Sequence, residues 1–198
     1  MKRLLLASTL AAAAFNANAV VMDFNQLTGY ALVGRGFHYE EDGFQLDTAS
    51  SGYGFYSIHS RDYRYDGSVG FFNESSNAVT TLSRIGGGLF SLASIDLDSL
   101  NGGYQVTVNF SGTLANGSVV STSFRTNAAN NLQTFTFGSD FDSVSSVSWV
   151  QASPFHSFDN IVLHTGAPAS AVPEPSTVAM LGLGLLAFAG SRRKALKR

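Results

Sequence analysis

The chain has 198 residues, 12 basic and 14 acidic side chains, a formal net charge of −2 and no cysteine. Without cysteine there is no disulfide, thiol nucleophile or cysteine-type zinc site, so stability must come from core burial, aided at most by a metal. Between positions 20 and 171 thirteen acidic residues face five arginines (Arg35, Arg61, Arg64, Arg84 and Arg125) and no lysine, a local net charge of −8; this lacks the basic footprint of a nucleic-acid binder and suits cations or neutral sugars.

The first nineteen residues read as a signal peptide. Lys2 and Arg3 form a positive start, Leu4 to Phe15 is apolar, and Ala17-Asn18-Ala19 supplies a small-x-small cleavage site. Cleavage after Ala19 leaves Val20 as the mature N-terminus.

From 20 to 165 the chain reads as strands. Candidate runs are 20–24, 43–48, 69–72, 78–82, 89–97, 104–110, 119–126, 132–137, 144–150 and 158–164. They combine period-two alternation with aromatic and β-branched enrichment, the pattern of half-buried strands. Asn116-Gly117 is a tight-turn signal, so 104–110 is expected to pair with 119–126. No stretch keeps a helical period. The expected fold is all-β: an antiparallel, jelly-roll-like β-sandwich, flanked by an N-terminal signal helix and a C-terminal hydrophobic helix. Gly34-Arg35-Gly36 and Gly86-Gly87-Gly88 read as turns.

Residues 166–171 form a small-residue linker. Positions 172–198 then divide into three: Val172-Pro173-Glu174-Pro175-Ser176-Thr177, an apolar run over 178–190, and a basic tail over 191–198. The prolines enforce an extended, accessible backbone, and the basic end favours the cytoplasmic side of a membrane. The thirteen apolar residues of 178–190 span about 20 Å as a helix, short of the roughly 30 Å hydrocarbon core.

This tripartite tail resembles the PEP-CTERM sorting signal of Gram-negative bacteria that make exopolysaccharide. The resemblance implies the export machinery and an exosortase as partners, with Pro173, Glu174 and Pro175 as the recognition motif. It also implies transient residence in the inner membrane, then release to the envelope, extracellular matrix or medium.

Within the domain no nucleophile elbow, phosphate loop or zinc-protease motif occurs, and no catalytic residue is assigned. The histidines lack ligand spacing. Tyr53, Tyr56, Tyr63 and Tyr65, interleaved with Arg61, Asp62, Arg64 and Asp66, form a candidate saccharide platform, because aromatic faces stack on sugar rings while charged neighbours hydrogen-bond hydroxyls. Phe158-Asp159-Asn160-Ile161 is similar to the closing strand of carbohydrate-binding jelly rolls. That similarity implies a structural calcium, for which Asp23, Asp47 and Asp159 are the candidate ligands. The expected function is a non-catalytic exported protein associated with exopolysaccharide or biofilm matrix. A hydrolase using paired carboxylates and a purely structural adhesive domain are the alternatives.

Overall fold

The computed structural model describes residues 18–165. Residues 1–17 of the expected signal peptide, Ala17 included, together with the linker, the sorting motif and both expected flanking helices, lie outside the described residues, whereas Ala19 falls in the first strand. The described elements are β1 (Asn18–Met22), β2 (Leu32–Gly36), β3 (His38–Glu41), β4 (Phe44–Ala49), β5 (Phe55–Ile58), β6 (Gly70–Asn73), β7 (Val79–Arg84), β8 (Ser91–Ser99), β9 (Thr107–Leu114), β10 (Val119–Arg125), β11 (Gln133–Thr136), β12 (Val144–Val150) and β13 (His156–Thr165), with one 3-10 turn at Ser139–Phe141.

The strands form two sheets. The first runs β11-β8-β13-β6-β5-β2, with β1 also on β13, and the second runs β10-β9-β12-β7-β4-β3. Every pairing is antiparallel. The expected sandwich is therefore the observed architecture.

Alternation drives the layering. In β9, Val108 and Phe110 are buried while Thr107 and Asn109 are exposed. Leu46, Leu82, Val147 and Trp149 from the second sheet meet Ile95, Leu97, Phe158 and Leu163 from the first in one core. Its centre is aromatic. Phe71 stacks on Phe24 at 4.7 Å and on Phe55 at 5.0 Å, and takes the edge of Phe158 at 5.8 Å. Burying each such ring contributes about 1.5–3 kcal/mol.

The Asn116-Gly117 hairpin forms as expected, shifted a few residues along its first strand. Val119 pairs with Thr113 and Arg125 with Thr107. Gly117 takes φ +82 and its N–H donates to the Leu114 carbonyl at 2.9 Å. Three strands were not expected. Gly34-Arg35-Gly36 lies in β2 rather than in a turn; a register shift between Gly34 and Gly36 breaks the alternation a strand would show in sequence. β3 is a polar edge, and β5 was hidden inside the aromatic run. Gly86, Gly87 and Gly88 do form a turn, all at positive φ.

Candidate functional site

The outer face of the first sheet is the most elaborated surface of the domain. Along β5 and β6, Phe55 and Phe71 point into the core, so Tyr56, Ile58 and Phe72 point outward. Outward apolar side chains need a cover, and the segment 59–69 supplies it. Ile58, Phe72 and Leu100 are buried in a second cluster beneath Tyr56, Tyr65 and Phe155.

Backbone bonds pin this segment to the turn before β2. The His59 N–H donates to the Ala31 carbonyl at 2.7 Å, and the Arg61 N–H to the Tyr30 carbonyl at 3.2 Å. Within it, Arg64 grips Asp62 through two bonds, Nε to Oδ1 at 2.7 Å and Nη2 to Oδ2 at 2.8 Å. The guanidinium holds the Asp62 carboxyl below its usual range, and Asp62 raises Arg64 in return. The Arg64 guanidinium lies 5.7 Å from the Phe72 ring centre and 5.1 Å from that of Tyr63, while Arg61 sits 5.5 Å from Tyr30. The result is two presented rings, Tyr63 at 80% exposure and Tyr30 at 72%, each backed by a guanidinium.

The same face carries carboxylates. Asp96 and Asp159 are directly opposed across β8 and β13, an unfavourable like-charge pairing if both ionise. Asp98 follows on β8, and Asp66 enters from the covering segment. Burial pushes Asp159 up to about 7 and Asp98 up to about 6, and raises Asp66. Partners are few. The Asn160 side chain donates to Asp96 at 2.8 Å, the Asn160 N–H to Asp159 Oδ1 at 2.7 Å and the Asn131 N–H to Asp98 at 2.9 Å. Asp159 Oδ2 has none. Asp159 is 0% and Asp98 1% exposed, so these perturbed acids are closed to a polymeric substrate rather than arranged around a cleft.

A second polar group lies between the sheets near β2. The Arg35 Nε donates to Ser57 Oγ at 2.6 Å, and its Nη2 approaches His59 Nε2 at 3.0 Å. Ser57 Oγ is 2.8 Å from the same His59 nitrogen. Burial and Arg35 lower His59. Both Ser57 and His59 are buried, so this contact braces the strand pair and presents no nucleophile at the surface.

Of the expected platform, Tyr56 and Tyr65 cover the second cluster, and Tyr63 joins them through the Arg64 stack. Tyr53 is exposed but precedes β5, at the opposite end of that strand from the segment 59–69, where it bonds Ser75. Tyr30 was not anticipated: nothing in Thr-Gly-Tyr-Ala marks it, and only the folding of 59–69 against it brings it into play.

The candidate calcium ligands do not converge. Asp47 lies on the outer face of the second sheet, bonded to His38 at 2.7 Å. Asp159 lies on the outer face of the first. Asp23 follows β1 and accepts from the Asn25 N–H at 3.0 Å; its charge acts on Tyr39 and Glu41 instead. The two sheets alone are about 10 Å apart, beyond the reach of one ion. Asp23, Asp47 and Asp159 thus do not fit a shared calcium. Among the described residues no three His, Asp or Glu side chains cluster as metal ligands would.

Residues 171–194 match the PEP-CTERM protein-sorting motif. The match contains Pro173, Glu174 and Pro175 and implies export and processing by an exosortase. Among the described residues no helix is long and apolar enough to cross a membrane; the run 178–190 lies outside them. No curated protein matches the chain. The sandwich is similar in fold to solved carbohydrate-binding modules. A family 29 module shares 15% identity over 81% of this chain and 97% of its own, with a TM-score of 0.43. The CBM22-1 xylan-binding domain of Paenibacillus barcinonensis Xyn10C shares 11% over 79% of this chain and 100% of its own, with a TM-score of 0.41. The family 11 module of Clostridium thermocellum Lic26A-Cel5E shares 12% over 77% of this chain and 96% of its own, with a TM-score of 0.30.

Proposed function

We propose that this exported protein is a non-catalytic, polysaccharide-associated component of the cell envelope or extracellular matrix. In this reading it contacts glycan through the segment 59–69 and the neighbouring Tyr30. The observation that carries it is the pair of presented rings, Tyr63 and Tyr30, each backed by an arginine. A stacked aromatic loses little freedom when a sugar ring docks on its free face, and the adjacent guanidinium donates to sugar hydroxyls. The local charge of −8 over 20–171 disfavours polyanions and favours neutral chains. The short apolar run of the tail serves as a temporary handle in the inner membrane during sorting.

The test is retention on a column of immobilised exopolysaccharide from the producing strain. Replacing both Tyr30 and Tyr63 by Ala removes two exposed rings without touching the core. Retention should fall about tenfold, equivalent to ~1.4 kcal/mol. Unchanged retention of the double variant overturns the proposed contact.

A further inference from the structure

Of the described strands, β1 has the partner most distant in sequence. It pairs with β13 alone, the last strand of the domain, setting Asn18 opposite Thr165, Ala19 opposite His164, Val20 opposite Leu163, Val21 opposite Val162 and Met22 opposite Ile161. The Ala19–Val20 bond, the cleavage point expected from sequence, therefore lies inside the ladder, with the residues on both sides of it paired. The docking is firm. Met22 is fully buried and Val20 packs against the core. Just beyond the strand, buried Phe24 stacks on Phe71 at 4.7 Å, and its N–H donates to Glu41 Oε2 at 3.2 Å. One edge of β1 is thus taken by β13 and one face by the core. A peptidase binds its substrate as an extended segment whose backbone is free to pair with the enzyme. Docked β1 offers no such segment, so cleavage there has to wait for the strand to open, at a rate that follows the open population.

We propose that closure of β1 on β13 is the step that ends signal-peptide removal: the Ala19–Val20 bond is cut while β1 is unpaired, and closure then shields it. The inference rests on the export proposed above and on Ala19 as the last residue of the signal peptide. Chain order keeps the window open. The N-terminal part of a chain is made and delivered first, so β1 has no strand to pair with until β13, at the other end of the domain, has followed it. Hydrolysis adds one water across the bond, leaving a carboxylate on Ala19 and an ammonium on Val20. The shortened strand then starts opposite Leu163 and keeps its buried residues. A chain that closes before it is cut keeps its signal peptide. Its two apolar segments, 4–15 and 178–190, are then joined to the domain at Asn18 and Thr165, which are cross-strand neighbours about 5 Å apart.

The test uses the full chain, residues 1–19 attached, in mild detergent with a purified bacterial signal peptidase. In one arm the chain is diluted from urea into the peptidase; in the other the peptidase is added after refolding. Intact mass and N-terminal sequencing read the cut. The refolded chain should be cut at least tenfold more slowly than the refolding one. Met22→Asp places a charge at a buried position of β1 and should restore fast cleavage after refolding, whereas Met22→Leu should stay slow; circular dichroism verifies the sheet content of each variant. Hydrogen exchange of the parent is a second reading that needs no variant: the β1 amides facing β13 should exchange slowly. Fast exchange at those amides overturns the proposal even if Met22→Asp fails to fold. Equal rates in the two arms, with Val20 as the new N-terminus, overturn the shielding and leave the signal peptide as read. No cleavage in either arm, or a cut upstream of Asn18, removes the boundary at Ala19 and the proposal with it.

Discussion

Asp159 shows how one side chain is set by its neighbours. Phe158 on one side and Ile161 beyond it enter the core, so Asp159 faces outward, yet the covering segment leaves it without water. Folded Asp159 holds its proton up to about pH 7, whereas an unfolded Asp releases it near pH 4. The stability this group contributes is complete below pH 4 and is lost as pH rises through 7. Asp98, pushed up to about 6, acts in the same direction. His156 acts oppositely: burial lowers it to about 3, so its contribution is present above pH 6.5 and lost on acidification. Every tenfold difference in proton affinity between the folded and unfolded chain corresponds to about 1.4 kcal/mol. Asp159→Asn should therefore raise the thermal midpoint at pH 8, by an amount corresponding to a few kcal/mol, with the gap narrowing towards pH 4. Calorimetry at the two pH values checks this, and a pH-independent gap rules it out. The Phe-Asp-Asn-Ile run marks Asp159 as unusual in the sequence, but the charges that act on it, Asp66 and Asp96, come from other places in the chain.

At the scale of elements, the strands legible in sequence are those that alternate cleanly over a one-sided core. β9 and β10 with their Asn-Gly turn, and β12 and β13, were readable for that reason. β2 was not, because glycines occupy two of its five positions and its register slips. The structure explains one of the glycines nearby. At Gly54 an added Cβ would collide with the Gly36 carbonyl oxygen, so β2 and β5 close together only over a bare backbone. Gly54→Ala should destabilise the domain by about 1–3 kcal/mol, read as a lower urea midpoint. Gly138→Ala, where a Cβ meets open space, should be neutral or gain about 0.4–1 kcal/mol from the less flexible unfolded chain. Equal effects at both positions would contradict the close-approach argument.

For the whole molecule, charge follows the two roles of the chain. Seven of the twelve basic residues lie within 1–19 and 191–198, the segments expected from sequence to direct delivery. Val20 and Met22, the inward residues of β1 after Ala19, pack on the core, so cleavage there leaves the apolar part of the strand in place. Mass spectrometry of the extracellular form from the native host should find neither the signal peptide nor Arg192–Arg198. An intact basic tail outside the cell would contradict sorting-coupled removal.

The sequence alone determined the address, the strand content and the acidic, lysine-free character of the domain, because each is carried by contiguous residues or by composition. It also flagged Tyr63 within an aromatic, charged segment. Tertiary structure decided which of those rings are presented, brought Tyr30 beside them, and sent Asp47 and Asp159 to opposite faces. It also paired Asn18 and Ala19 with Thr165 and His164, although they come from the two ends of the domain. Such groupings depend on which strands become neighbours and on how the sheet registers align, and local sequence pattern does not encode either.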